Sequence, residues 1–241
     1  MKTSVFLDRD GVINRYPGDG KYVTSVKEFR FLPKVKKAIA LLTAHKYPIF
    51  IISNQAGVGK GLYSQAALDR ITEHMLKELS RHKGKVHAVY YCTHRNEDNC
   101  SCRKPKTGLI MSALSSLRGR LSKAGDRSNL TSQRAVVWLP INKAKNEPAC
   151  LAGRQASPSA RNDINSIFTV GLKRFSLKDS FFVGDTIRDV QTARAAGCRS
   201  ILVFSGQEKP AHRDSWQAQP DYVFPDLYQA AEFIVNQKSA L

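Results

Sequence analysis

Short apolar segments alternate along this chain with longer segments of helical periodicity, and this alternation constrains the fold more than any other feature. Short apolar runs are typical of strands buried in a parallel sheet, and strand–helix alternation is typical of α/β domains. Strands are predicted at residues 4–7, 48–52, 86–91, 181–183, 201–204 and 222–224. Helices are predicted at residues 33–46, 64–81, 107–117, 186–196 and 227–236. The sequence therefore predicts an α/β fold around a central parallel sheet.

The length of 241 residues suits one sizeable α/β domain, and we expect a single domain over residues 1–241. No apolar run is long enough to cross a bilayer, and the first residues lack the apolar core of a signal peptide. We therefore expect a cytoplasmic protein without membrane attachment. We also expect a monomer. The formal net charge of +18 suits anionic partners such as phosphorylated metabolites or nucleic acid, and it is equally compatible with a solvated basic surface.

Residues 118–170 interrupt the alternation of strands and helices. A helix-to-strand connection normally takes a few residues, whereas this one is long and rich in Ser, Asn, Arg and Ala, with nine basic and three acidic residues. Only the apolar run at residues 135–139 could form a strand there. We therefore predict a basic insertion of low order that interrupts the single domain.

Acidic residues follow two of the predicted strands directly. Asp8 and Asp10 lie on the turn after the first strand, beside Gly11, and Asp185 and Asp189 follow the strand at residues 181–183. Because the carboxyl ends of parallel strands border one ligand crevice, these carboxylates are expected to converge. Carboxylates there can hold a hard cation such as Mg²⁺, or divide the roles of nucleophile and proton donor. Asp189 could equally be a first-turn carboxylate that interacts with a helix dipole.

Groups suited to phosphate follow the second predicted strand. Ser53, Asn54 and Gln55 open a glycine-rich segment whose hydroxyl, amide and backbone N–H groups can cradle a phosphate. The segment departs from a P-loop, because Gly61 rather than Ser or Thr follows Lys60. An ordinary glycine-rich turn is the alternative reading of this segment.

A cluster of metal-ligand residues follows the third predicted strand. Its members, within eleven residues, are Cys92, His94, Cys100 and Cys102. Three thiolates and one imidazole form a closed tetrahedral set, which is typical of structural zinc. Cys150 and Cys198 stand alone and are expected to be inert. Arg103 and Lys104 come directly after the cluster, so a bound zinc would fix two phosphate-binding cations at the crevice.

These segments, in this order, resemble the four motifs of the haloacid dehalogenase superfamily of phosphatases: Asp8-Arg9-Asp10-Gly11, Ser53-Asn54-Gln55, Lys104, and Gly184-Asp185 with Asp189. The Cys-x-His and Cys-x-Cys-Arg-Lys-Pro block resembles the zinc-containing branch, which holds heptose bisphosphate and histidinol-phosphate phosphatases. Residues 54–63 look like those of the heptose enzymes. The resemblance covers roughly residues 1–117 and 172–241. It implies a Rossmann-like three-layer α/β/α fold with a minimal cap and a zinc-bound loop after strand 3.

The resemblance also implies residue roles. Mg²⁺ would be held by Asp8, the Asp10 carbonyl and Asp185, with Asp189 as a further candidate ligand. Asp8 would be the nucleophile that forms an aspartyl-phosphate, and Asp10 the general acid and base. The residues implied to stabilise the transferring phosphoryl group are Ser53 and Lys104. Those implied to bind the substrate are Asn54, Gln55, Arg103 and Tyr22.

The reaction implied is removal of the 7-phosphate of D-glycero-D-manno-heptose 1,7-bisphosphate, a phosphorylated sugar. The alternatives are a histidinol-phosphate phosphatase, a phosphatase or binding protein for nucleic-acid 3′ ends, and a non-catalytic zinc protein. Aromatic and basic residues are not interleaved as a nucleic-acid stacking surface needs. The intact pair of Asp8 and Asp10 argues against a non-catalytic protein.

Overall fold

The computed structural model of the protein describes residues 3–122, 135–138 and 176–237. In this part of the chain a seven-stranded parallel sheet forms the centre of the fold. The strands are β1 (Val5–Leu7), β2 (Ile49–Asn54), β3 (Ala88–Cys92), β4 (Ala135–Trp138), β5 (Phe181–Gly184), β6 (Arg199–Val203) and β7 (Tyr222–Phe224). Their order across the sheet is β4-β3-β2-β1-β5-β6-β7. The predicted parallel sheet is confirmed.

Helices connect these strands. They are α1 (Val35–Ala44), α2 (Ala56–Gly59), α3 (Gln65–Arg81), α4 (Gly108–Ser122), α5 (Ile187–Ala196) and α6 (Leu227–Asn236), with a 3₁₀ helix at Pro210–Ser215. Ser64 caps α3 by accepting a hydrogen bond from the Ala67 backbone N–H. The sequence did not predict α2 or the 3₁₀ helix, since four and six residues are too short to show helical periodicity. Among the described helices, none has both the length and the apolarity that crossing a bilayer requires.

Apolar side chains pack on both faces of the sheet. Val5 and Leu7 belong to the core on one face, together with buried residues of α1, α3 and α6. Phe6 points to the other face, where its ring lies 5.5 Å from that of Phe50 and 6.4 Å from that of Phe182, next to buried residues of α4 and α5. Because neighbouring residues of a strand face opposite sides, this distribution confirms the predicted three-layer α/β/α arrangement.

Two pieces of the predicted insertion lie in the described part of the chain. Helix α4 continues to Ser122, and its end was predicted at about residue 117 or a little beyond. Strand β4 lies within the apolar run at residues 135–139 and pairs with β3, with Ala135 opposite Ala88. The remainder of residues 118–170 lies outside the described residues.

The register of the central strands positions the candidate site. Leu7 of β1 pairs with Ile51 of β2 on one side and with Val183 of β5 on the other. The residues that follow these three positions therefore leave the sheet at the same edge. The polar segments after β1, β2 and β5 consequently face one another across a short distance.

Candidate active site

Three carboxylates meet at the carboxyl edge of the sheet. Asp8 follows β1, Asp185 follows β5, and Asp189 lies in the first turn of α5. One carboxylate oxygen from each lies within 4.8 Å of the other two, and all three side chains are buried. The structure thus brings together acidic residues that are about 180 positions apart in the sequence, as the order of the motifs predicted.

Lys104 joins two of these carboxylates. Its Nζ lies 2.8 Å from Oδ2 of Asp8 and 2.6 Å from Oδ1 of Asp189, and the residue is only 4% exposed. The side-chain amide of Asn54 accepts a hydrogen bond from the Lys104 backbone N–H (3.1 Å) and donates one to the Lys104 carbonyl (3.2 Å). Asn54 therefore holds the backbone of Lys104, and the ammonium group is fixed beside Asp8.

Burial changes the protonation of the acidic residues. It raises the pKa of Asp8 to about 6, with Lys104 acting in the opposite direction and Asp189 adding to the rise. Burial also raises the pKa of Asp185 well above its usual value, and the charges of Asp8 and Asp189 add to this effect. One ammonium group does not balance three buried carboxylates. A hard divalent cation with oxygen ligands fits this excess of negative charge, and Asp8 and Asp185 are the carboxylates that could hold it.

Two glycines leave room for Asp185. A Cβ atom on Gly11 would lie 2.0 Å from Oδ2 of Asp185, and one on Gly206 would lie 1.9 Å from the same atom. Gly11 also has a φ of +82°, which favours glycine. The Gln207 backbone N–H donates to Oδ2 of Asp185 (2.8 Å). The segment after β6 was not predicted to belong to the site, and Gly206 is the one residue type in it that could have indicated a close backbone approach.

Asp10 is held by side chains that donate to both of its oxygens. The Arg9 guanidinium lies 2.9 Å from each oxygen, Asn14 Nδ2 lies 2.8 Å from Oδ1, and Gln55 Nε2 lies 2.8 Å from Oδ2. Arg9 is fully buried, and its guanidinium lies 5.7 Å from the centre of the Tyr91 ring. Arg9 and Asn14 were not predicted to be site residues, because their roles depend on side-chain direction.

The remaining predicted phosphate and substrate residues divide into two groups. Ser53 is 2% exposed, and its hydroxyl hydrogen-bonds to Asp8 and accepts from Gln55. Gln55 is 1% exposed, so its contacts are with the protein. Arg103 and Tyr22 lie further out. Arg103 donates to Asn96 (2.7 Å) within the loop after β3, and the Tyr22 ring packs against the residues around α2.

The four predicted zinc ligands converge after β3, and all are buried. The Sγ atoms of the three cysteines lie 3.4–3.6 Å apart. The Nδ1 atom of His94 lies 3.5 Å from the sulfur of Cys92 and 3.2 Å from that of Cys102. Zinc–sulfur bonds of about 2.3 Å place the sulfurs of a tetrahedral site about 3.8 Å apart. The observed spacing is close to this value, so the donor set fits a zinc ion.

Thiol protonation supports the same interpretation of the cluster. Hydrogen bonding from Cys102 lowers the pKa of Cys92 to about 4 against the effect of burial, and the bond from His94 acts in the same direction. Burial raises the pKa of Cys100, and the hydrogen bond to Cys92 together with burial raises that of Cys102. A buried thiolate among thiols is a typical precursor of a soft-metal site.

Two protein-family models match the chain. Residues 5–130 match the model described as polynucleotide kinase 3 phosphatase, and residues 156–230 match the model described as HAD-hydrolase-like. The two matches cover the segments that carry Asp8, Ser53, Lys104 and Asp185.

Curated relatives include enzymes of several microorganisms. The chain is 38% identical over 114 residues to the D-glycero-alpha-D-manno-heptose-1,7-bisphosphate 7-phosphatase of Campylobacter jejuni; this match covers 47% of the chain and 63% of that relative. It is 25% identical to the D-glycero-beta-D-manno-heptose-1,7-bisphosphate 7-phosphatase of Neisseria meningitidis serogroup A, over 98% of the chain and 96% of the relative. A probable D-glycero-D-manno-heptose-1,7-bisphosphate 7-phosphatase of Thermoplasma acidophilum is 36% identical, over 56% of the chain and 84% of the relative.

A solved structure has a similar fold. It is the D,D-heptose 1,7-bisphosphate phosphatase of B. bronchiseptica in complex with magnesium and phosphate. The two sequences are 26% identical, and the two structures superimpose with a TM-score of 0.67. The match covers 98% of this chain and 99% of the B. bronchiseptica enzyme.

Proposed function

Because this chain belongs to the haloacid dehalogenase-like phosphatases, we propose that it removes the 7-phosphate of D-glycero-D-manno-heptose 1,7-bisphosphate. The observation that carries the proposal is the approach of Asp8 and Asp185 to each other beside Lys104 at the carboxyl edge of the sheet. Such a constellation offers a nucleophile, a site for a hard cation and a fixed positive charge for one phosphoryl group.

The first step of the proposed reaction is attack by Asp8. An oxygen of its carboxylate forms a bond to phosphorus while the bond from phosphorus to the sugar oxygen breaks, which gives an aspartyl-phosphate. Asp10 gives a proton to the departing alkoxide. In the second step Asp10 takes a proton from water, the water oxygen bonds to phosphorus, and the Asp8 carboxylate and inorganic phosphate are released.

Other residues stabilise charge during this transfer. The Lys104 ammonium, 2.8 Å from Asp8, and the Ser53 hydroxyl lie where they can bind the phosphoryl oxygens. Mg²⁺, held by Asp8, Asp185 and the Asp10 carbonyl, would supply further charge neutralisation and orient the phosphate. Asp189 holds Lys104 and the start of α5 through its two oxygens, which accept from Lys104 and Thr186, and it is a further candidate ligand of the cation.

We assign a structural role to zinc. Cys92, His94, Cys100 and Cys102 fill four tetrahedral positions and leave none for water. The loop they close is short and polar, and it leads directly into Lys104. Zinc would therefore stabilise the segment that presents the lysine to Asp8.

The choice of substrate rests on the relatives, whose names specify heptose 1,7-bisphosphate but differ in the anomer. In this proposal Asn54 and Gln55 act on Lys104 and Asp10, since their amides are engaged there. Arg103 and Tyr22 remain the candidates for direct contact with the sugar or its second phosphate.

A panel of phosphate esters tests the proposal. Phosphate release is measured with Mg²⁺ on both anomers of the heptose bisphosphate, on histidinol phosphate and on an oligonucleotide with a 3′-phosphate. We expect the highest kcat/KM for a heptose bisphosphate, and loss of this activity in Asp8→Asn. Full activity of Asp8→Asn would contradict the mechanism, and a preference for another ester would contradict the substrate.

The 3′-phosphorylated oligonucleotide represents the second candidate function. It is favoured by the match of residues 5–130 to the polynucleotide kinase 3 phosphatase model and by the net charge of +18. If the oligonucleotide is the preferred substrate, its KM should rise steeply with salt, because a basic protein releases counterions when it binds a polyanion.

A further inference from the structure

Two buried side chains form a hydrogen-bonded chain behind Asp10. The Tyr63 hydroxyl donates to Oε1 of Gln55 over 2.7 Å, and Nε2 of Gln55 donates to Oδ2 of Asp10 over 2.8 Å. Gln55 is 1% exposed and Tyr63 is 8% exposed, so solvent competes little with either bond. These two hydrogen bonds therefore connect Tyr63, in the segment after α2, to Asp10, the proposed acid/base residue.

A glutamine amide has a donor end and an acceptor end, and only the donor end suits a carboxyl oxygen that carries no proton. With the amide reversed, Oε1 of Gln55 would face an oxygen of Asp10, and two acceptors would repel each other. A hydroxyl that donates to Oε1 stabilises the correct orientation. Burial raises the pKa of Tyr63, so this hydroxyl keeps its proton over the working range of an enzyme.

We propose that Tyr63 is a positioning residue, whose hydroxyl fixes the Gln55 amide so that it donates to Asp10 and aims the carboxyl group at the leaving oxygen. This inference rests on the proposed function, in which Asp10 protonates the departing alkoxide. Arg9 donates to both oxygens of Asp10 and Asn14 donates to Oδ1, whereas Gln55 donates only to Oδ2. Loss of the Tyr63 hydroxyl therefore weakens one of the two side-chain contacts at Oδ2 and leaves the contacts at Oδ1 in place.

The ring of Tyr63 has a separate, structural role. It lies 6.3 Å from the ring of Tyr22, and a Cβ atom on Gly57 would lie 2.3 Å from its Cε1 atom. The variant Tyr63→Phe keeps this packing and removes only the hydroxyl. A matched control is Tyr47→Phe, because Tyr47 is also buried and its hydroxyl donates to the Ile234 carbonyl (2.9 Å), among core residues of α1 and α6.

Two substrates separate positioning of the acid from general damage. Departure of a sugar alkoxide needs a proton, whereas departure of the nitrophenolate of p-nitrophenyl phosphate does not. General acid catalysis supplies about 10²–10⁴-fold, so we expect Tyr63→Phe to lower kcat/KM by about tenfold for the heptose bisphosphate and less than about twofold for p-nitrophenyl phosphate. Tyr47→Phe should change neither value.

A double-variant cycle tests whether Tyr63 acts through Gln55. Tyr63→Phe combined with Gln55→Ala should be no slower with the sugar substrate than Gln55→Ala alone, since coupled residues are not additive. Equal losses on both substrates, no loss on the sugar, or additive losses would each overturn the role of Tyr63. Absence of turnover of both substrates by the unaltered protein would instead contradict the proposed function, and with it this inference.

Discussion

Lys104 and Asp189 form a buried ion pair in which Nζ and Oδ1 lie 2.6 Å apart. The other oxygen of Asp189 accepts hydrogen bonds from the hydroxyl (2.7 Å) and the backbone N–H (3.2 Å) of Thr186, at the start of α5. Asp189 is thereby fixed to the helix, and it holds the lysine beside Asp8. Its charge and that of Asp8 raise the pKa of Lys104 against the effect of burial, so the lysine stays protonated.

Replacement of Asp189 by asparagine should weaken catalysis through Lys104. Asparagine keeps an acceptor for Thr186 but loses the charge that holds the ammonium group. Since removal of one preorganised charge-stabilising group costs about 10²–10³-fold in related systems, and Lys104 retains Asp8 as a partner, we expect kcat to fall by about 10- to 100-fold. Steady-state kinetics on the purified variant, with circular dichroism to verify folding, measure the effect.

Asp179→Asn is the matched control for Asp189→Asn. Asp179 has a half-exposed side chain and pairs with Arg199 over 3.6 Å, and exposed ion pairs contribute little. This variant should keep the activity of the unaltered protein. An Asp189→Asn protein that is folded and fully active would show that Lys104 needs no partner besides Asp8.

Gly11→Ala should disrupt the proposed cation site. The added Cβ would lie 2.0 Å from Oδ2 of Asp185, and the residue would keep a φ of +82°, which is strained for alanine. Gly20→Ala is the control, because Gly20 also has a positive φ, of +69°, and a Cβ there would meet no atom within 4 Å. We expect Gly11→Ala to lose about 100-fold or more in activity, as the charge network of the site is displaced.

The two glycine variants are compared by activity and by thermal unfolding. An alanine at residue 20 would pay about 1–2 kcal/mol for a left-handed conformation, so Gly20→Ala should lower Tm only slightly. Its turnover should stay intact. Equal activities of the two variants would mean that Asp185 can move aside without loss, which would contradict its role at the cation site.

The sequence could predict which strand ends carry the chemistry, because buried parallel strands are short apolar runs and their carboxyl ends share one edge. Asp8, Ser53 and Asp185 were located in this way, and β4 was recognised as the one apolar run in the insertion. The convergence of Cys92, His94, Cys100 and Cys102 was predicted by spacing, since four ligand-type residues within eleven positions form a local signal.

What the sequence did not predict depends on the direction of side chains and on turns. Residue type did not reveal that Arg103 donates to Asn96 in its own loop, and its contact with the substrate stays a prediction. Tyr63 reaches Gln55 because α2 and the turn after it fold the chain back, and a four-residue helix has no periodic signature. The Gln207 backbone N–H on Asp185 leaves no trace in residue type, because any residue could supply it.

Affinity for Mg²⁺ should depend on pH through Asp8. Burial, with a contribution from Asp189 and against the effect of Lys104, raises the pKa of Asp8 to about 6 in the metal-free protein. Below that pH the carboxyl group is protonated and cannot bind the cation. We therefore expect the apparent affinity to fall by about tenfold or more between pH 7 and pH 5, as protons compete with the metal. Isothermal titration calorimetry with MgCl₂ measures it.

The sign of this dependence follows from linkage. Near its raised pKa, the carboxyl group of Asp8 is partly protonated in the metal-free protein, whereas it must be ionised to bind Mg²⁺. Metal binding therefore releases protons, and the apparent affinity falls as the pH is lowered. Burial also raises the pKa of Asp185, so protons compete with the cation at this carboxylate as well. Asp8→Asn should flatten the slope below pH 6. An affinity that is constant from pH 5 to pH 7 would contradict the assignment of Asp8 as a ligand.

Removal of one proposed zinc ligand should disable the site, although in the proposal this residue does not touch the substrate. Cys100→Ser replaces a soft thiolate by a hydroxyl in a cluster whose sulfurs lie 3.4–3.6 Å apart, so the chain should lose its zinc. The loop would then no longer hold Lys104 at Asp8, and activity should fall by at least about 100-fold, since a misplaced charge-stabilising group costs this much. Zinc content by plasma mass spectrometry and turnover are measured on the same sample.

Cys198→Ser is the control for the zinc prediction, because Cys198 is also a buried cysteine but lies outside the metal-ligand cluster. This variant should retain zinc and turnover, with at most a small loss of stability from the buried hydroxyl. Chelation of zinc from the unaltered protein should reproduce the loss seen in Cys100→Ser, and re-addition of zinc should restore activity. Full turnover of a zinc-free sample would contradict the proposal that zinc positions Lys104. Contacts with Asn54 and Asp189 would then be sufficient to hold the ammonium group at Asp8.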